Sequence, residues 1–91
     1  MKGYEGELVS GSFMEDEASF YLTSLRHLET ASTLGRDQLL QLYRYLHHQQ
    51  EQGESCLVTI NDQMPLLFQE DEVAMLMNDL REIMNEVGLH E

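Results

Sequence analysis

A chain of 91 residues has room for one domain with a modest core, small enough that losing one helix would unfold it. Its composition, 42% hydrophobic and 24% charged, is that of a folded globular domain and too apolar for intrinsic disorder. Seventeen carboxylates against five Lys plus Arg give a formal charge of -12 and an isoelectric point near 4.4, and such a surface repels phosphate backbones and anionic lipid, which argues against direct nucleic-acid or membrane binding.

The single cysteine, Cys56, excludes an intramolecular disulfide and fits a reducing compartment. Residues 1–12 are polar, glycine-rich and acidic rather than leader-like, and no apolar run approaches a membrane span, so the expected setting is cytoplasmic.

Gly3, Gly6 and Gly11 argue against a helix over residues 1–12, leaving an edge strand built on Tyr4, Leu8 and Val9 against a later hairpin, or a flexible arm. Ser12 followed three residues later by Glu15 has the form of a capping box, which predicts a helix from Phe13. Ala18, Tyr21, Leu22, Leu25 and Leu28 supply its stripe, and the run TASTLG ends it between Glu29 and Gly35. A second helix follows with Leu39, Leu42, Tyr43 and Leu46 inward, Leu40 and Tyr45 at the flanks and Gly53 as its stop. Together the two helices would make an αα-hairpin.

Two short apolar runs, SCLVTI and QMPLLF, are split by Asn61 and Asp62, residues suited to a tight reversal, and read as a β-hairpin. Pro65 inside the second strand implies a sheet edge. Alternation puts Cys56, Val58 and Ile60 on one face with Met64, Leu66 and Phe68, and leaves Leu57 and Leu67 on the other. The last element is the clearest: Val73, Leu76, Met77, Leu80, Ile83, Met84 and Val87 recur at steps of three and four along one side of a helix. The expected fold is therefore α+β over a single domain, residues 1–91: an αα-hairpin, a β-hairpin and a C-terminal amphipathic helix, with the helices packed on a small antiparallel sheet.

Chemistry-bearing groups are sparse. His47 and Glu51, four apart on a helix with His48 adjacent, share a face as two metal ligands would, but zinc sites take three or four protein ligands and neither His27 nor His90 belongs to a companion motif. Cys56 lies in acidic surroundings, which raise a thiol pKa and make it a poor nucleophile. No phosphate-binding glycine loop, nucleophile elbow or dinucleotide fingerprint occurs, and the expectation is a non-enzymatic protein with no cofactor and no metal.

Glu72, Asp79, Glu82 and Glu86 form an outward acidic stripe on the last helix, with axial steps of roughly 4.5 to 10 Å, a range that includes phosphate-like spacings. Met75, off the main apolar stripe, widens the apolar arc of that helix. With Leu57 and Leu67 it is apolar surface that one small chain does not cover. The leading expectation is a small acidic regulatory or adaptor protein that binds another protein and forms a homodimer through the last helix and the hairpin. Its contact residues are Leu57, Leu67 and Met75, with Glu72, Asp79, Glu82 and Glu86 at or outside the rim. Two alternatives stand beside it: an acidic mimic of nucleic acid that inhibits a DNA- or RNA-binding protein, and a metal-dependent activity centred on His47, His48 and Glu51.

Overall fold

The structure, a computed structural model, describes residues 2–14, 19–59 and 65–88. In chain order these form β1 (Lys2–Glu5), β2 (Val9–Met14), β3 (Ser19–Leu25), β4 (Leu28–Leu34), α1 (Arg36–Gln52), β5 (Cys56–Val58), β6 (Leu66–Phe68) and α2 (Glu70–Glu86). The class is α+β, as expected. The N-terminal half departs from expectation: where a first helix and an αα-hairpin were predicted, β1 to β4 form a four-stranded antiparallel sheet in sequence order.

The cause of that departure is a bulge. Gly11 pairs with Leu22 and Ser10 with Ser24, so Thr23 is an extra residue with no counterpart on β2, and its hydroxyl donates to the Ser10 carbonyl at 3.1 Å. An extra residue moves the side-chain alternation by one step, so Phe20, Leu22 and Leu25, spaced two and then three apart, all turn inward and are all buried. The three-residue step imitates a helical stripe. Tyr21 and Leu28, counted in that stripe, lie off the core: Tyr21 is half-buried and Leu28 exposed. Ser12, taken as a helix cap, is mid-strand between Gly3 and Tyr21, while Glu15 and Ala18 lie outside the described residues. Phe20, Tyr21, Thr23, Thr30 and Thr33 also carry the β preference of branched and aromatic side chains.

The glycine-rich start is neither an arm nor a strand on the C-terminal hairpin. It is β1, an edge strand paired with β2, and Gly11 is what the pairing requires. A Cβ at Gly11 would collide with the Tyr21 carbonyl and stand 2.6 Å from the Phe20 ring. The Phe20 ring uses that space, and Tyr4, Phe13 and Phe20 meet edge to face at centroid distances of 5.3 to 6.1 Å.

Both helices expected in the second half are present. α1 begins after Gly35, whose N–H donates to Gln38 Oε1 at 2.8 Å, and stops at Gly53, where the N–H groups of Gly53 and Glu54 bond back to the carbonyls of Gln50 and Gln49. α2 opens with Glu70, Asp71 and Glu72 against its positive end, and the Gln69 N–H donates to Glu72 Oε1 at 3.1 Å. Its inward residues Leu76, Leu80 and Ile83 meet Val9, Phe20, Leu22 and Leu25 of the sheet around a residual void of about 10 Å³. Leu39, Tyr43 and Leu46 of α1 and Cys56, Val58 and Phe68 of the small sheet complete the core. No described helix is long and apolar enough to cross a membrane.

One side chain expected on the outer acidic stripe is inside. Asp79 is 1% exposed, and its carboxylate accepts four hydrogen bonds, from the hydroxyl of Tyr4 at 3.2 Å and from the backbone N–H groups of Glu7, Leu8 and Val9 at 3.0, 2.7 and 3.1 Å. It thus closes the β1–β2 turn, where the Gly6 N–H also reaches the Val9 carbonyl at 2.8 Å. Gly6 leaves room for it, since a Cβ there would strike the Asp79 carboxylate. Burial, followed by the nearby charges of Asp79 and Glu82, pushes the Tyr4 phenol well above its ordinary range and keeps it a donor.

Leu80 tests the assignment of the buried face. Leu80→Ala, at 2% exposure, should lose about 2 to 5 kcal/mol, whereas Glu82→Ala, one half-turn outward, should stay within about 0.5 kcal/mol of the parent. Urea melts that leave the two variants equally stable would place the core elsewhere.

Candidate functional site

β5 and β6 pair antiparallel over three residues each, Cys56 with Phe68, Leu57 with Leu67 and Val58 with Leu66. So short a ribbon is marginal alone and relies on what covers it. Cys56, Val58 and Phe68 turn into the core, and Leu66 is half-buried. Leu57 and Leu67, a cross-strand pair, face outward with 59% and 48% of their surface exposed. The alternation expected for these strands holds at the described positions. Pro65 precedes β6 rather than lying within it, and the remaining hairpin residues, Ile60 with the proposed turn at Asn61 and Asp62 and then Met64, are outside the described residues.

Arg26 holds this ribbon to the main body. It is the first residue of the two-residue turn between β3 and β4 and takes φ +60°, a conformation that turns of this length usually assign to Gly, Asn or Asp. A side chain is nonetheless used there. Its Nη1 donates to the Leu67 carbonyl and to Glu72 Oε2, each at 3.1 Å, and its guanidinium lies 4.8 Å from the Phe68 ring centroid. Backbone strain at the turn is offset by three contacts that a glycine could not make. The Gln69 N–H, and then Arg26, hold the Glu72 carboxyl below its ordinary value.

Met75 follows Glu72 by three residues, hence on the same side of α2, and is 36% exposed. Arg26 thus brings Leu67 and Glu72 together, with Leu57 beside Leu67, and Met75 lies one turn along α2 from Glu72. The other carboxylates assigned to the contact do not join them as a free array. Asp79 is buried under the β1–β2 turn, Glu86 is paired with Lys2 at 2.9 Å, and Glu82 accepts from Asn78 at 3.2 Å. The expected stripe is broken at its second position.

His47 pairs with Glu51 at 3.2 Å and stacks on Tyr43 at 6.4 Å, with His48 exposed beside it. Among the described residues no group of three or more His, Cys, Asp or Glu side chains is placed to hold a metal ion. The Cys56 thiol is fully buried, and desolvation, then Glu54, pushes its pKa up, so it stays protonated. Two features escaped the sequence reading, Asp79 and Arg26. For Asp79 a signal existed: it lies three residues after Leu76 and four before Ile83, at the margin of the apolar arc. For Arg26 there was none, because its turn was assigned to a helix. Set against known proteins, the chain matches no family model, and no curated protein or solved structure gives a match.

The lowered carboxyl of Glu72 makes its contribution pH-dependent. A group whose folded value is depressed stabilises fully above its unfolded value, near 4.5, and that contribution is lost as pH falls through the lowered folded value. Glu72→Gln should therefore be less stable than the parent at about pH 7, by a margin that shrinks below about pH 4.5. Chemical denaturation across this range that gives a constant margin would contradict the assigned partners.

Proposed function

We propose that this chain is a small, acidic, non-enzymatic regulatory or adaptor protein that acts by binding another protein, in a reducing, cytoplasmic setting. The observation that carries the reading is the cross-strand pair Leu57 and Leu67, two large apolar side chains standing outward on a ribbon that Arg26 fixes in place. Met75, a flexible thioether also exposed on α2, is of the kind that suits an adaptable contact. Glu72 sits beside Leu67 with its charge paired to Arg26, which leaves the apolar side chains to carry the contact.

The acidic-mimic alternative keeps less support, because Asp79 is buried and Glu72 and Glu86 are paired with Arg26 and Lys2 of the same chain. The metal alternative has two neighbouring ligand types, His47 and Glu51, and needs a third. Salt separates the leading reading from mimicry. A photo-crosslinking residue at position 67 in the full chain, used in cells of the source, should capture one protein; the purified complex should persist at about 0.5 M salt and be lost with Leu67→Glu. A complex that dissolves at that salt yet tolerates Leu67→Glu would instead be charge mimicry.

A further inference from the structure

A groove of about 390 Å³ runs between α1, the end of β4 and the outer side of β5. From α1 it is lined by Gln38, Gln41, Leu42 and Tyr45, at helical steps of three, four and seven, a second stripe beside the Leu39, Tyr43 and Leu46 stripe that packs inward. From β5 and the residue after it the groove is lined by Leu57, Val58 and Thr59, and Leu57 is the most exposed large apolar side chain among the described residues, at 59%; Tyr45 is 40% exposed.

In a chain with 24% charged residues and a net charge of -12, this lining includes, among the described residues, no Asp, Glu, Lys or Arg. Two copies meet with least repulsion through such a surface. The polar groups that do occur, the amides of Gln38 and Gln41 and the hydroxyls of Tyr45 and Thr59, each carry both a donor and an acceptor. That property matters at a two-fold axis, where the same patch faces itself: a carboxylate there meets a carboxylate, whereas an amide or hydroxyl pairs with its own copy. Leu57 both lines the groove and is more than half exposed, so it is available to a second copy.

We propose that a second copy of this chain occupies the groove through a two-fold contact, with Leu57 of each protomer seated beside Leu42 and Tyr45 of the other. The sequence led us to expect the homodimer on the last helix with the hairpin; this contact keeps Leu57 of the hairpin and replaces the last helix by α1. Leu57 belongs to both contacts, so in the dimer a different partner would be left Leu67 and Met75; the proposal goes beyond the adaptor reading and is tested separately from it.

Sedimentation equilibrium of the full chain decides the matter. The expected species at micromolar concentration has twice the 10.6 kDa mass of one chain, and added salt tightens it by screening the mutual repulsion of two acidic copies. Gln41→Glu, nearly isosteric and at an exposed position, and Tyr45→Glu should each raise the dissociation constant about a hundredfold with an unchanged far-ultraviolet circular dichroism spectrum. Tyr45→Lys should do the same although it lowers the net negative charge, and Met75→Glu should leave the dimer intact. A parent chain that stays at 10.6 kDa, a dimer that survives both glutamate variants, or one broken by Met75→Glu alone would overturn the proposal. Loss of the position-67 crosslink with an intact dimer, by contrast, would count against the adaptor reading only.

Discussion

Asp79 lies on the inward side of α2 at 1% exposure, and the four donors that converge on it come from residues 71 to 75 positions earlier in the chain or, for Val9, 70. A carboxylate taken out of water is costly unless its lone pairs are satisfied, and three backbone N–H groups with one phenol satisfy them. Hydrogen bonds to a charged group contribute about 1.5 to 3 kcal/mol each, more than neutral ones. The dependence runs both ways: the turn from Gly6 to Leu8 has few other fixed partners, and α2 cannot bury its stripe against the sheet with an unpaired carboxylate at its margin. Gly6 and Tyr4 belong to the same arrangement, one by leaving space and the other by supplying the phenol. Through this contact the first strand and last helix are set as one unit.

The scarce cations follow the same geometry. Lys2 reaches Glu86, Arg26 reaches Glu72, Arg81 reaches the Tyr43 hydroxyl at 3.0 Å, and Arg36 reaches the Gly88 carbonyl at 3.4 Å. Each joins α2 or the residues just after it to another part of the fold. The exposed pair of Lys2 and Glu86 adds little, but Arg26, which also covers the Phe68 ring, orders the small ribbon on which the outward leucines stand. Four of the five Lys and Arg residues thus serve as ties between α2, or the residues just after it, and another part of the fold.

The second half of the fold was legible because each of its elements keeps an unbroken period: steps of three and four along α2, alternation from Cys56 to Val58, and Gly53 at the end of α1. The first half was not, and the reason is local. Thr23, inserted as a bulge, turned a strand's period of two into a step of three between Leu22 and Leu25, and that step is indistinguishable from a helical one in a short window. The β-forming residues around it, Phe20, Tyr21, Thr30 and Thr33, point the other way. At the candidate site, Leu57, Leu67 and Met75 were legible as uncovered apolar positions, since alternation and helical phase suffice to find them. Asp79 was not, because a carboxylate at the margin of an apolar arc reads as solvated until its donors, more than 60 residues away in sequence, are in view. The uncharged face of α1 was hidden for a different reason: Gln38, Gln41 and Tyr45 look like ordinary surface until β5 lies beside them.

Hydrogen exchange at the amides of Glu7, Leu8 and Val9 tests the central role of Asp79 most directly, because those three N–H groups have this carboxylate as their acceptor. In the native protein they should exchange only through opening on the scale of the whole fold, with protection matching that of the core amides of α2, and Asp79→Asn should strip protection from the turn while lowering that of α2. Rapid exchange at Glu7, Leu8 and Val9 in the parent chain, with α2 fully protected, would show that the turn opens independently and that the carboxylate does not bind the two ends of the chain together.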